Sequence, residues 1–320
     1  MVGLAWRIVP VDPRLDFMLQ RAPVAPGPPL STTEARENAH AMMTRMLAQY
    51  AEPDATTVGQ QDHVVEVAGG TITVRVYTPR GRPPFPLHFY VHGGGFSRGL
   101  LSHFDAECRY LCDKVGCVVA SVGYRLAPEH KYPLPLTDCL AALHWSVEHA
   151  ALVGIDPHLI TIGGVSAGAN LVAAVALIAR SQGGPAIAFQ VLEIPLLDLT
   201  LSQPSVVEFA EGFGLTRAAL EQAVADYLGD PTDASDPLAS PLLASDVSGL
   251  PPALIMTAEF DPLRDQGAQF ASRLRGAGVD AELCQWDGHI HGAASFTALL
   301  PSARAYRDRI VAALRNALRS

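Results

Sequence analysis

Residues 159–168 read Leu159-Ile160-Thr161-Ile162-Gly163-Gly164-Val165-Ser166-Ala167-Gly168, and an alanine- and leucine-rich run follows as far as Arg180. Leu159 to Ile162 has the short apolar, β-branched character of a buried strand, whereas Ala167 to Arg180 has helical periodicity. A serine held between glycines at a strand-to-helix turn is the arrangement of a nucleophile elbow. The turn is too tight for large flanking side chains, and it leaves the hydroxyl at a helix amino terminus, where developing negative charge is favoured. A GxSxG string alone is expected by accident roughly 0.1 times in a chain of this composition. Its flanks carry most of the weight, and a glycine-rich turn with a passive serine is the plain alternative.

Outward from that turn, short apolar runs alternate with helical stretches. The predicted strands are His63 to Val67, Thr71 to Tyr77, Leu87 to Val91, Cys117 to Val122, Leu159 to Ile162, Phe189 to Ile194, Ala253 to Ala258 and Ala281 to Gln285. Helices are predicted over residues 135–150, 167–180, 216–228, 264–277 and 302–318. Such alternation specifies an α/β fold with a mostly parallel sheet covered by helices. Gly69-Gly70 predicts a hairpin between the first two strands, which would pair antiparallel at one edge. Two segments, 31–50 and 200–230, stand outside the alternation. In the first, Ser31 and Glu34 form a capping-box pattern, and Ala39, Met42, Met43, Met46, Leu47 and Tyr50 make an apolar stripe expected to pack into the core. Lining an adaptable apolar pocket is the other use of such methionines.

Composition narrows the function classes. Apolar residues make up 49% and charged residues 17%, which excludes disorder as a description of the whole chain. The net charge of −9, with no dense basic patch, argues against nucleic acid as a partner. Arg7, Asp12, Arg14 and Asp16 interrupt the start before a signal-peptide apolar stretch could form, and no later segment reaches the about 18 uncharged apolar residues of a membrane span. The expectation is a soluble cytoplasmic protein without membrane association. The five cysteines, Cys108, Cys112, Cys117, Cys139 and Cys284, show no disulfide spacing and read as reduced thiols. His103, Cys108 and Cys112 lack paired CxxC spacing, so no metal site is expected there.

Directly after the strand Leu87 to Val91 stands His92-Gly93-Gly94-Gly95-Phe96, a string expected by accident only roughly 0.007 times. Successive residues without side chains let backbone N–H groups approach an oxygen closely, as an oxyanion hole requires. A phosphate-cradling loop would need a following GK[ST] or GxGxxG spacing, and neither is present. A serine nucleophile also needs a base, and the base needs a carboxylate to orient it. The order serine, acid, histidine on such a sheet points to Asp261, just beyond the strand Ala253 to Ala258, and to His291, beyond Ala281 to Gln285 and the turn Asp287-Gly288. Asp265 and His289 are the rival positions. The remaining histidines, His92 and His130 among them, read as structural or surface residues.

The chain resembles the hormone-sensitive-lipase-like esterases, the bacterial family IV branch of the α/β-hydrolases. The resemblance rests on His92 to Phe96, on Tyr124-Arg125-Leu126-Ala127-Pro128-Glu129-His130, on Gly164 to Gly168, on Asp261-Pro262-Leu263-Arg264-Asp265 and on His291-Gly292, in family order across residues 63–320. Val11-Asp12-Pro13 also looks like the family's opening. It implies an α/β-hydrolase fold, with an eight-stranded mostly parallel sheet at residues 56–199 and 231–320. A small helical cap would be made of residues 1–55 and the insertion 200–230. It implies Ser166 as nucleophile, His291 as base and Asp261 as orienting acid, with the N–H groups of Gly94, Gly95 and Ala167 as the oxyanion hole. No metal or organic cofactor is implied. The tyrosine-to-histidine block is similar to a family feature that braces the loops around the site.

Val165 stands where the family commonly has Asp, Ala169 where it has Gly, Gln266 where Glu is usual and Ala293 where Phe often follows. The missing ring at Ala293 is expected to leave space beside His291 for a bulkier alcohol or aryl group. The expected activity is hydrolysis of short- to medium-chain carboxylic esters through an acyl-enzyme, on a small-molecule substrate, with a homodimer left open. An amidase or formamidase with the same triad, or a noncatalytic ligand-binding protein on the same fold, are the alternatives.

Overall fold

The computed structural model describes residues 11–15, 19, 32–53 and 57–319. Eight strands form one sheet: β1 (Gly59–Val67), β2 (Gly70–Thr78), β3 (Phe85–Val91), β4 (Val118–Gly123), β5 (Ile155–Val165), β6 (Ile187–Glu193), β7 (Ala253–Phe260) and β8 (Ala281–Ile290). Their spatial order is β1-β2-β4-β3-β5-β6-β7-β8. The pairs β1/β2 and β2/β4 are antiparallel and all the others parallel. Every predicted strand is present. The core strands are apolar on both faces because helices cover both.

Helices α1 (Thr32–Tyr50), α2 (Asp105–Leu111), α3 (Leu134–Glu148), α4 (Ala167–Gln182), α5 (Pro204–Glu208), α6 (Arg217–Tyr227), α7 (Arg264–Gly276) and α8 (Pro301–Ala317) surround it. Residues of α3, α4 and α7 join one buried cluster with Leu87, Phe89 and Val91. Residues of α2 and α8 join another, with Tyr90, Val119 and Met256 on the opposite face. The α4 helix is buried continuously from Ala167 to Ala179. Its alanines and glycine let its axis approach β3, β5 and β6 closely, which anchors Ser166 at its amino end.

Four expectations need correction or restriction. Val67 pairs with Gly70, so the hairpin turn is Ala68-Gly69, one residue earlier than predicted, with Gly69 supplying φ +79°. Strand β8 does not end at Gln285 but runs to Ile290, and Asp287-Gly288 lies within it. The pairing with β7 slips between Ala258 and Phe260, and the Gly288 N–H donates to the Glu259 carboxylate at 2.7 Å in place of a ladder carbonyl. A β-bulge therefore stands where a turn was expected. The methionine stripe of α1 does not enter the core: no side chain of that helix is fully buried, and Met42 and Met43 are 42% and 38% exposed. The helix lies on the outside of the molecule, and only Met46 and Tyr50 pack against the cluster of Leu15, Ile290 and Phe296. Ser31, half of the capping box, lies outside the described residues.

Candidate active site

The elbow places Ser166 at φ 57°, ψ −118°, between the end of β5 and the first turn of α4. This is an unfavourable conformation for a residue with a Cβ, and it is held by its neighbours. The Ser166 N–H donates to the Glu193 carbonyl at 2.8 Å, and the Ser166 carbonyl accepts from Leu196 N–H. Gly168 admits no side chain at all: a Cβ there would lie 2.1 Å from the Val91 carbonyl oxygen. The small residues of the pentapeptide are thus dictated by backbone approach between α4 and β3.

His291 Nε2 lies 3.1 Å from Ser166 Oγ, and His291 Nδ1 lies 2.8 Å from Asp261 Oδ2. Because a carboxylate only accepts, Nδ1 carries the hydrogen and Nε2 is left to accept from the serine hydroxyl. Asp261 is fully buried, and its other oxygen accepts the N–H of Leu263 at 2.9 Å. The three side chains come from the carboxyl ends of β5, β7 and β8, and the fold brings them into one hydrogen-bonded line.

The rivals are elsewhere. Asp265 lies in the first turn of α7, where it accepts from Ser205 N–H and pairs with Arg264. His289 hydrogen-bonds Ser302, and burial pushes its pKa down to about 4. His92, at about 4, is stacked between Phe104 and Tyr124. His88, at about 3, is buried against Thr161. All three are held as neutral structural groups by desolvation.

Beside Ser166 runs the glycine loop after β3. Gly94 adopts φ +127°, and a Cβ on it would sit 2.2 Å from the Arg98 carbonyl oxygen. Its own carbonyl accepts from Ser97 and Arg98 N–H, closing the loop on itself. The Ala167 N–H, at the first position of α4, has no partner within the helix by geometry. Behind the loop, the Tyr124 hydroxyl donates to the His92 carbonyl at 3.1 Å, and the partly exposed Arg125 pairs with the buried Asp138 at 2.6 Å.

Some contributors were not legible in the sequence. Arg36 of α1 donates to the carbonyls of Ser97 and Ala127 and pairs with Glu129 at 2.6 Å. His40 of the same helix accepts from Gly99 N–H at 3.2 Å. Phe96 stacks on Tyr227 of α6, and Lys131 donates to the carbonyls of Ala225, Asp226 and Leu228 at that helix's end. These partners lie 59 to 131 positions from each other in the chain, beyond the reach of any local pattern.

The departures from the family pattern have visible settings. Gln266 takes a buried position, accepting from Leu197 and Asp198 N–H and donating to the Asp198 carbonyl. Ala169 is buried in α4. Ala293 does not open a space: it is 1% exposed and packed in the cluster that contains Leu15 and Phe296, whose side chains fill that region.

Residues 88–295 match the α/β-hydrolase fold family. Over 315 residues the chain is 38% identical to carboxylesterase NlhH of Mycobacterium tuberculosis, with 96% of each chain covered. The fold is similar to that of an esterase of Pyrobaculum calidifontis, with a TM-score of 0.89 at 37% identity, covering 96% of this chain and 99% of that one. It is also similar to carboxylesterase EstE1, cloned from a metagenomic library, with a TM-score of 0.86 at 38% identity over 90% and 98% of the two chains.

The chain belongs to the α/β-hydrolase fold family. Within it, the chain is a hormone-sensitive-lipase-like carboxylesterase, a carboxylic ester hydrolase. No helix among the described residues is long and apolar enough to cross a membrane.

Proposed function

We propose that the protein hydrolyses short- to medium-chain esters through an acyl-enzyme formed on Ser166. The observation that carries this is the line Ser166 Oγ, His291 Nε2, His291 Nδ1, Asp261 Oδ2, at 3.1 and 2.8 Å. His291 accepts the hydroxyl proton as Ser166 Oγ bonds to the ester carbonyl carbon, and the resulting imidazolium is stabilised by Asp261. The carbonyl oxygen, now an oxyanion, takes hydrogen bonds from Gly94, Gly95 and Ala167 N–H. His291 then gives its proton to the departing alcohol oxygen. In the second half, water loses a proton to His291 and attacks the acyl carbon, and Ser166 leaves with that proton restored. A fixed loop and a helix terminus supply the oxyanion donors without reorganisation, which is where their rate advantage lies.

In this proposal residues 1–55 and 200–230 form a cap over a catalytic unit of residues 56–199 and 231–320. The stacking of Phe96 on Tyr227 supports it by joining the insertion to the oxyanion loop. The cytoplasm is the proposed location, supported by five free cysteines, four of them buried. A homodimer is the accompanying expectation, read directly by light scattering. Turnover of 4-nitrophenyl acetate, butyrate and octanoate tests the mechanism: Ser166→Ala is expected to lower kcat by about 10⁶. Equal rates in the two proteins would overturn it.

A further inference from the structure

A cavity of about 80 Å³ lies under the elbow, bounded by Val165 and Gly292, the immediate neighbours of Ser166 and His291. Its wall includes Glu107 of α2, Glu193 at the end of β6 and Tyr306 of α8. Val165 and Glu193 are register partners on adjacent parallel strands, so their side chains project to the same face of the sheet. A carboxyl thus stands on the strand beside the position where the family commonly carries one.

The wall is mostly apolar, and its polar atoms are incompletely paired. Glu107 Oε1 and Arg307 Nε are buried without a hydrogen-bond partner. Tyr306 and Glu193 are 3% and 6% exposed, and the tyrosine faces the carboxyl. Arg307 is already engaged: it pairs with Glu52 at 2.8 Å and lies 3.5 Å over the Tyr110 ring. Neither Glu107 nor Glu193 forms an ion pair among the described residues. A buried carboxyl oxygen left unpaired is costly, and Glu107 Oε1 beside a second carboxyl indicates a hydrogen-bond donor that satisfies it. Burial raises the Glu193 carboxyl well above its usual range, so that a bound cation would favour its ionised form, and pushes Glu107 to about 7, where it already carries partial charge near neutrality.

Position decides which part of a substrate enters. The base returns its proton to the alcohol oxygen, so the alcohol moiety lies on the His291 side. The loop that follows His291 contributes Gly292, Ala294, Ser295 and Thr297 to the cavity. We propose that the cavity is an alcohol-side subsite selecting esters whose alcohol ends in a short ammonium group, with Glu193 and Glu107 as the specificity-determining residues. This rests on the assignment of Ser166, His291 and Asp261 above. A space of about 80 Å³ is several times what a single water needs, so it admits a small terminal group such as a dimethylammonium. Its N–H⁺ meets a carboxylate, and the proton displaced from that carboxyl passes to solvent.

The test compares 2-(dimethylamino)ethyl butyrate with 3-methylbutyl butyrate, its uncharged counterpart of the same shape, at pH 7.5. The wild type is expected to favour the charged ester by about tenfold in kcat/KM, since one hydrogen bond to a charged group is worth at least that. Glu193→Gln should bring the ratio near one, and Glu107→Gln should lower it partway. The ratio is internal to each variant, so general damage cancels. A wild-type ratio near one, or a ratio unchanged in Glu193→Gln, would overturn the proposal. Turnover of 4-nitrophenyl butyrate, lost in Ser166→Ala, reads the triad separately. Calorimetric titration of Ser166→Ala with the same two esters decides the subsite without turnover: tighter binding of the charged ester, with proton release, supports it, and equal binding overturns it.

Discussion

The rings of Phe96 and Tyr227 stack face to face, with centroids 3.8 Å apart and planes 7° from parallel. Phe96 follows Gly95 directly and itself adopts φ 60°. The last residue of α6 therefore packs directly on the glycine loop after β3, at a residue whose backbone lies in the strained left-handed region.

Replacing Tyr227 separates ring from hydroxyl. The hydroxyl is buried without a partner, so Tyr227→Phe is expected to leave stability unchanged or raise it by about 1 kcal/mol. Tyr227→Leu, which loses the stack, should cost at least about 1 kcal/mol and lower kcat/KM several-fold. Urea unfolding and 4-nitrophenyl butyrate kinetics check both; a Leu variant with full activity would uncouple α6 from the loop.

Asp261→Asn keeps the shape but can donate where the carboxylate only accepted, favouring the wrong histidine tautomer. The expected loss in kcat is about 10⁴ with little change in KM. Steady-state kinetics beside a circular-dichroism melt distinguish this from misfolding.

Asp138 is fully buried and accepts from both the Arg125 guanidinium and the Arg125 N–H. Asp138→Ala leaves the partly exposed Arg125 guanidinium without its partner and should destabilise by about 1–3 kcal/mol. Replacing Arg125 by Met in that background should recover much of the loss. Denaturant titration of the three variants gives the coupling.

Acid stability has two opposed contributions. His289 and His92 sit at about 4 in the folded protein against 6.5 when unfolded. The unfolded chain binds protons that the folded one refuses, so their contribution is complete above pH 6.5 and is lost as pH falls toward 4. It amounts to at most on the order of 3 kcal/mol per group. Glu107, raised from 4.5 to about 7, acts the other way: its contribution is complete below 4.5 and is lost as pH rises through 7. His289→Gln should therefore flatten the fall in stability between pH 6.5 and 4.5, and Glu107→Gln should steepen it, as read by urea unfolding at stepped pH.

What the sequence made legible follows from the range of the interactions involved. Strand periodicity and the glycines at 94, 164 and 168 are local, and they located all eight strands and the elbow. Order along the sheet was enough to prefer Asp261 and His291 over Asp265 and His289. The β8 bulge escaped because it depends on Glu259 reaching Gly288 from another strand. The α1 stripe misled because helical spacing reports an apolar face but not what covers it. The setting of Ala293 required Leu15 and Phe296, brought beside it only by the fold. The Glu107–Glu193 cavity joins α2 to β6 and has no signature in either segment.

The shallow seating of α1 has a kinetic side. A helix without a fully buried side chain, latched by Arg36 to Ser97, Ala127 and Glu129 and by His40 to Gly99, can detach while the sheet stays intact. Its amides should exchange with solvent through local opening, well before those of α4. Arg36 and His40 are the polar latches beside the apolar contacts of Met46 and Tyr50, so the opening of this helix can be tuned at those two side chains without touching the core of the sheet.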